Sequence, residues 1–147
     1  MKEVKIVIGA NYGDEGKGLM SRFFVQQALG EKRNPIVILH NGSVQRGLTV
    51  DYTPSEKHIY HHFGCGTGER VPTFFAETFL VHPMEYMREY EELMNQHINP
   101  PTKNYCDPNC LIVTPFDMLV DCITKSWNEL QTGLVDHRSK CCGSWCA

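Results

Sequence analysis

Short apolar runs alternate with amphipathic segments along most of this 147-residue chain. The apolar residues 4–9 predict a buried strand, and residues 19–29, after a glycine-rich turn, carry an apolar stripe at helical spacing. A second continuous apolar run, residues 36–39, is typical of a buried parallel strand. The three segments together predict a β-α-β unit, in which a ligand binds at the carboxyl edge of the sheet.

Further elements are predicted in the second half of the chain. Residues 58–63 and 73–82 have the composition of strands, and residues 111–113 form another short apolar run. Pro83 stands at the favoured first position of a helix that ends near residue 97. The alternation of strands and helices therefore continues beyond the first unit.

Both predicted helices of the second half are amphipathic. In the helix after Pro83, we expect the buried face to consist of Met87, Tyr90, Leu93 and Met94. We expect its charged residues to face water: Glu85, Arg88, Glu89, Glu91 and Glu92. A last helix begins at Pro115, and its apolar stripe is expected to be core: Met118, Leu119, Cys122, Ile123, Trp127 and Leu130.

This order of elements predicts an α/β fold with a P-loop-like, mostly parallel sheet and flanking helices. Residues 1–147 have the length of one ordinary domain, and we expect a single nucleotide-binding domain. Apolar residues make up 41% of the chain and charged residues 21%, values typical of globular rather than disordered proteins.

Charge and composition exclude several classes of partner. The net charge of −3 offers no electrostatic attraction for nucleic acid. No apolar run reaches the roughly 18 residues of a membrane span, and the first residues do not resemble a secretion signal. We therefore expect a cytoplasmic protein without nucleic-acid or membrane partners. Its seven cysteines are expected to be free thiols, because an odd number without a secretion signal argues against a disulfide framework. The spacing of Cys106 and Cys110 also departs from that of zinc sites.

The glycine-rich turn Gly13-Asp-Glu-Gly-Lys-Gly18 is the strongest candidate for chemistry. Glycines after a strand let the backbone approach an anion, and the N–H groups at the start of a helix point towards it. Lys17 adds a positive charge, and Asp14 adds a carboxylate where a nucleotide or a metal would sit. The alternatives are a tight turn without a ligand and, for Asp14, a helix cap.

The turn departs from the general P-loop pattern G-x-x-x-x-G-K-[ST] at two positions. Asn11 stands at the first glycine, and Gly18 replaces the Ser or Thr that would bind Mg²⁺. Because a metal at this turn would need another oxygen ligand, Asp14 is the acidic candidate.

The ten residues Gly9-Ala-Asn-Tyr-Gly-Asp-Glu-Gly-Lys-Gly18 resemble the N-terminal signature G-x-Q-W-G-D-E-G-K-G of adenylosuccinate synthetases. Enzymes of this family use GTP and Mg²⁺ to join L-aspartate to a purine 6-oxo nucleotide. The resemblance implies that Asp14 removes the proton from N1 of the purine and also binds the metal. It further implies that the turn holds the nucleotide through Gly13, Asp14, Glu15, Gly16, Lys17 and Gly18.

A second stretch, Gln45-Arg-Gly-Leu-Thr49, resembles the loop N-A-G-H-T of the same family. The resemblance implies nucleotide binding by Gln45, Gly47 and Thr49, with the carbonyl of Gly47 as a ligand of Mg²⁺. Leu48 replaces the histidine that acts in the family as an acid towards the purine 6-oxygen, and leucine cannot donate a proton. Arg46 is a cation that reaches a phosphate, a cation that substitutes for the missing histidine, or a solvated surface residue.

Residues 61–67 and 78–83 are similar to a shorter, phage-type branch of the family. Some members of that branch are thought to act on a deoxyguanylate, so both IMP and dGMP remain open as the purine nucleotide.

Because neighbouring residues of a strand face opposite sides, His61 and His62 are not expected to converge on one ligand.

The resemblance covers well under half of a complete family member. The loops that bind aspartate and the elements that recognise guanine lie later in such proteins, so we expect a truncated or fragmentary chain. Family members are usually homodimers. Asp14, Lys17 and Gly47 favour a GTP-dependent ligase of purine nucleotide biosynthesis, whereas Leu48 favours the alternative, a purine-nucleotide-binding module without ligase activity.

Overall fold

The computed structural model describes residues 3–11, 13, 15–53, 56–135 and 141–143. Within these residues it has three α-helices: α1 (Lys17–Gly30), α2 (Pro83–Asn95) and α3 (Pro115–Thr132). It also has seven short strands: β1 (Val37–Leu39), β2 (Leu48–Thr53), β3 (Glu56–Tyr60), β4 (Thr73–Phe75), β5 (Leu80–Val81), β6 (Tyr105–Cys106) and β7 (Leu111–Ile112). A single turn of 3-10 helix, Thr67–Glu69, precedes β4.

Three of the four strand pairings within the described residues are parallel. β4 lies between β1 and β6, with Val37 opposite Thr73 and Phe74 opposite Tyr105. β5 and β7 form a second parallel pair, and β2 and β3 are antiparallel. The predicted α/β architecture is confirmed, although the strands form three small sheets rather than one.

The prediction of a first strand over residues 4–9 is wrong. Residues 3–9 form no strand, and three apolar side chains of the segment are 81%, 78% and 83% exposed, those of Val4, Ile6 and Ile8. The segment lies along α1, where the Lys5 ammonium donates to the Gln27 side chain at 3.0 Å. Because no strand of the described residues pairs with it, its backbone lacks the ladder of hydrogen bonds that defines a sheet strand.

α2 begins at Pro83 as predicted, but the assignment of its faces is wrong in part. Leu93 is fully buried as expected, whereas Met87 is 54% exposed. Glu89, which was expected to face water, is only 4% exposed. A charged side chain of this helix therefore occupies a core position.

α3 begins at Pro115 as predicted, behind a capping box formed by Thr114 and Asp117. Its apolar stripe, however, points away from the core: Trp127 is 61% exposed, while the carboxylate of Asp121 is buried. The prediction that this stripe is core is wrong for most of its residues: Leu119, Ile123, Trp127 and Leu130 are exposed, whereas Met118, which contacts the imidazole of His82, and Cys122 are half-buried. None of the helices described is long and apolar enough to cross a bilayer.

The core consists of two clusters on either side of Tyr86. The first cluster, between β2, β3 and α2, contains Val50, Tyr60, Phe63, Cys65 and Leu93. The second cluster, beneath β1 and β4, contains Leu39, Phe75, Phe79 and Cys110. Tyr86 borders both clusters and stacks on Phe63 with ring centres 4.7 Å apart, so α2 joins the hairpin to the parallel sheet.

Candidate nucleotide-binding site

The glycine-rich turn leads directly into α1. Gly16 stands just before the helix with a φ of 73°, a left-handed conformation that glycine adopts without a steric penalty. As a glycine it has no side chain to cap the helix, so the first N–H groups of α1 remain for another acceptor. Gly13 is exposed, and Asp14, the predicted base and metal ligand, lies outside the described residues.

Lys17 and Glu15 form an ion pair within the turn. Glu15 also accepts a hydrogen bond from the backbone N–H of Asn11. The hydrogen bond from Lys17 is the largest cause that lowers the pKa of Glu15. A phosphate at this turn would therefore compete with Glu15 for the ammonium of Lys17.

The first turn of α1 packs against β2 at Gly18. Gly18 is buried, and a Cβ atom there would lie 2.2 Å from the carbonyl oxygen of Thr49. A larger residue would force the two backbones apart, because the contact is with backbone rather than with a flexible side chain. This contact joins Gly18 and Thr49, the last residues of the two stretches for which the sequence predicts nucleotide binding.

Residues 45–49 run from an exposed turn into β2. Gln45, Gly47 and Thr49 are exposed, and thus accessible to a ligand. Leu48 pairs with Tyr60 across the hairpin and packs against the first core cluster. The position at which the family has its histidine is therefore filled by a core-facing side chain that offers no proton donor.

Arg46 is held inside the protein rather than solvated at its surface. Its Nε donates a hydrogen bond to the carbonyl oxygen of His61 at 3.2 Å, and its guanidinium lies 5.7 Å from the centre of the Phe79 ring. Its Nη2 is buried and has no hydrogen-bond partner among the described residues. Burial lowers the pKa of Arg46, but an arginine side chain stays protonated in proteins.

His61 and His62 occupy different environments, as predicted. His61 is half-buried, and its Nδ1 contacts the carbonyl oxygen of Arg46, so this nitrogen carries the proton of the neutral ring. His62 is fully buried, and its Nε2 accepts a hydrogen bond from the backbone N–H of His82 at 3.0 Å. Both residues follow the end of β3 rather than lying within a strand.

Glu89 of α2 is the residue of this region that the sequence did not indicate. Its carboxylate accepts hydrogen bonds from the backbone N–H groups of His61 at 2.9 Å and His62 at 2.6 Å. The imidazoles of His58 and His62 lie 3.8 and 3.7 Å away. Burial acts to raise the pKa of Glu89, but these imidazoles and N–H groups outweigh it and lower the pKa to about 2.

The residues that the structure describes contain no group of three or more His, Cys, Asp or Glu side chains that could hold a metal ion. Mg²⁺ at nucleotide sites is held largely by phosphates and water, with one or two protein ligands. Gly47 is exposed and lies two residues before Thr49, which contacts Gly18. Its carbonyl oxygen is therefore suited to be one of these few protein ligands.

Cys65, Cys106, Cys110 and Cys122 are free thiols. Burial raises the pKa of Cys65 to about 11. This thiol is therefore neutral at pH 7 and has the character of a core residue rather than of a nucleophile.

The sequence and the fold of this chain both match those of known proteins. The family model described as adenylosuccinate synthetase matches residues 6–135. Relatives named adenylosuccinate synthetase are 26% identical over 128 residues in Finegoldia magna, 25% over 117 residues in Stutzerimonas stutzeri and 27% over 121 residues in Tropheryma whipplei. The alignments cover 86%, 79% and 82% of this chain, and 29%, 63% and 26% of the respective relatives.

A solved structure of fully ligated adenylosuccinate synthetase from Plasmodium falciparum has a similar fold, with a TM-score of 0.66 at 21% identity. The match covers 86% of this chain and 28% of that chain. This chain therefore spans less than a third of the length of that protein and of the Finegoldia magna relative. Because the family model extends over most of its residues, the chain belongs to the adenylosuccinate synthetase family.

Proposed function

We propose that this chain carries the phosphate-binding part of a GTP- and Mg²⁺-dependent ligase that joins L-aspartate to a purine 6-oxo nucleotide. The contact between Gly18 and the backbone of Thr49, which joins the two loops, is the observation that carries the proposal. Family membership supports the class of reaction. The candidate purines are IMP and dGMP, and the protein would act as a cytoplasmic homodimer in purine nucleotide biosynthesis.

In the proposed reaction Asp14 removes the proton from N1 of the purine, and the 6-oxygen attacks the γ-phosphate of GTP, which leaves GDP. The amino group of aspartate then displaces the phosphate from C6. When bound, Mg²⁺ supplies positive charge that neutralises the phosphoryl group in transfer. The N–H groups at the start of α1 and the ammonium of Lys17 would hold the phosphates, once Glu15 has released that ammonium.

The 6-oxygen needs a proton donor when it leaves C6 as part of the phosphate, and Leu48 cannot be that donor. The imidazole of His61 lies beside the second loop, since its Cε1 would be 3.8 Å from a Cβ placed on Gly47. Because Nδ1 of His61 donates its proton to the carbonyl oxygen of Arg46, Nε2 is the nitrogen left to face a substrate, and it can give up a proton only from the doubly protonated imidazolium ring. We assign to His61 the role of this acid.

A purine-nucleotide-binding module without ligase activity is the second candidate. The packing of Leu48 against the core favours it, because this side chain takes the position of the family's acid. The two candidates share the nucleotide site and differ only in turnover, so binding and catalysis need separate tests.

Isothermal titration of the chain with GTP and Mg²⁺ tests the shared site. Lys17→Ala is expected to weaken binding about tenfold or more, since a hydrogen bond to a charged group contributes about 1.5–3 kcal/mol. Lys103→Ala is the matched control, because it removes the same charge just before β6, at the amino edge of the sheet. It is expected to leave the affinity for GTP unchanged. A wild-type chain that binds no GTP would contradict both candidates.

Release of inorganic phosphate from GTP, with aspartate and either IMP or dGMP, separates the ligase from the module. A ligase requires all three substrates for release. His61→Gln is expected to lower the rate of phosphate release about a hundredfold or more, as loss of a general acid does. If the wild-type chain binds GTP but releases no phosphate above background, only the module remains.

A further inference from the structure

The peptide unit between His61 and His62 lies between a cation and an anion. Its carbonyl oxygen accepts a hydrogen bond from Nε of Arg46 at 3.2 Å, and its N–H donates to Oε2 of Glu89 at 2.6 Å. Hydrogen bonds to charged groups are the strong ones, and two at opposite ends of one peptide polarise it in the same sense. The peptide therefore couples the two side chains although they do not touch.

The same residues make a second set of contacts. The N–H of His61 donates to Oε1 of Glu89 at 2.9 Å, and Nδ1 of His61 contacts the carbonyl oxygen of Arg46. The backbone N–H of Arg46 in turn donates to the carbonyl oxygen of Ser43 at 3.0 Å. Side chain and main chain of Arg46 are thus both tied to the turn at residues 61–62, which α2 holds through Glu89.

Charge balance gives a second reason to treat Arg46 and Glu89 as a unit. No carboxylate of the described residues lies within ion-pair distance of Arg46. Burial lowers the pKa of Arg46, and the negative charge of Glu89 is among the groups that oppose this. A buried charge without its partner is strongly unfavourable. Removal of either side chain would therefore leave the other as a buried charge that is not balanced.

We propose that Glu89 and Arg46 are positioning residues for the nucleotide site. Acting through the peptide between His61 and His62, they hold residues 45–49 where Thr49 meets Gly18. The inference rests on the proposed function for its ligand, GTP with Mg²⁺, whereas the placement of the loop needs no ligand. Residues that orient the ligands of a site from behind typically contribute about 10–100-fold to affinity or activity, and we expect a loss of this size.

Five single variants and one double variant test the proposal. Glu89→Gln keeps the shape of the side chain and removes its charge, and Arg46→Met removes the guanidinium but keeps an unbranched chain. Glu92→Gln is the matched control, because it makes the same change at an exposed position of the same helix. Val113→Ala removes a buried side chain away from the loop and controls for a loss of stability alone.

Two quantities are measured on each full-length variant: the Kd for GTP with Mg²⁺ and the hydrogen-exchange rate of the amide at position 46. Glu89→Gln and Arg46→Met are each expected to raise the Kd about 10–100-fold and to speed this exchange. The double variant is expected to lose little more than either single one, since both act through one peptide. Arg46→Lys, which keeps the charge, is expected to restore part of the affinity.

Several results would overturn the proposal. Unchanged Kd and unchanged exchange in Glu89→Gln and Arg46→Met would do so, as would an equal rise of Kd in Val113→Ala, which would tie the effect to stability alone. If the wild-type chain binds no nucleotide, the proposed function fails. The exchange rate at position 46 then decides by itself whether Glu89 and Arg46 hold the loop.

Discussion

α2 and α3 have sequence patterns of the same kind but opposite placements in the protein. Each begins at a proline behind a side-chain cap, His82 for α2 and Thr114 for α3. α2 buries Leu93 and, beside it, the carboxylate of Glu89. α3 exposes most of its apolar stripe and instead buries the carboxylate of Asp121.

The difference teaches that an amphipathic pattern identifies the apolar side of a helix but not the side that the rest of the protein covers. The turn after β3 brings backbone N–H groups to α2, and these satisfy a carboxylate that would otherwise be costly to bury. Within the described residues, the stripe of α3 is covered only at Met118 and Cys122, whereas Ile123, Trp127 and Leu130 are exposed. Whether the apolar face of a helix is buried therefore depends on the whole fold. The burial of each helix can be tested separately by mutation.

The largest contrast is expected between two identical substitutions, Leu93→Ala in α2 and Leu130→Ala in α3. Leu93 is fully buried, so its truncation is expected to lower the free energy of unfolding by about 2–5 kcal/mol. Leu130 is 76% exposed, and its truncation is expected to cost less than about 0.5 kcal/mol. Urea unfolding at pH 7 measures both. An equal loss of unfolding free energy in the two variants would contradict the difference between the helices, because it would show that the α3 stripe is buried in solution.

The second prediction concerns pH and Glu89. Its pKa falls from the ordinary 4.5 to about 2 in the folded protein. A depressed pKa means that the carboxylate stabilises the fold fully above about pH 4.5, and that this contribution is lost as the pH falls towards 2. At about 1.4 kcal/mol per pKa unit, it amounts to about 3 kcal/mol.

The free energy of unfolding of the wild-type protein and of Glu89→Gln, measured by urea unfolding between pH 7 and pH 2.5, checks this contribution. The gap between the two proteins is expected to narrow as the pH falls, because only the wild type loses a charge at this position. A gap that stays constant over this range would mean that Glu89 faces water, like the other acidic residues of α2.

The third prediction concerns the cap of α3, whose loss is expected to cost less than the truncation of Leu93 or the loss of the Glu89 charge. Thr114→Ala removes the side chain that accepts the hydrogen bond from the backbone N–H of Asp117. Loss of a helix cap lowers the free energy of unfolding by about 1 kcal/mol. Because α3 has few buried contacts, the cap is a sizeable part of the free energy that stabilises its first turn. Thermal unfolding and the helical circular dichroism signal measure it. No change would indicate that tertiary contacts, rather than the cap, hold α3.

Local signals explain the parts of the fold that could be predicted. Proline at the first helical position and a capping residue before it set the starts of α2 and α3, and the apolar run at residues 36–39 contains β1. The meeting of residues 13–18 with 45–49 could be predicted from the likeness of both stretches to one family. The strand expected at residues 4–9 could not be judged from the local sequence, because a β-strand forms only where another strand pairs with it.

By itself, the sequence determined where the chain is helical, that its first glycine-rich turn suits an anion, and to which family it is related. Only the tertiary structure decided that Leu48 faces the core, that Glu89 and Arg46 share the peptide after His61, and that the α3 stripe faces outward. The physical reason is range. Helix propensity and capping act over a few neighbouring residues, whereas the burial of a charge or an apolar face depends on groups that only the fold brings together.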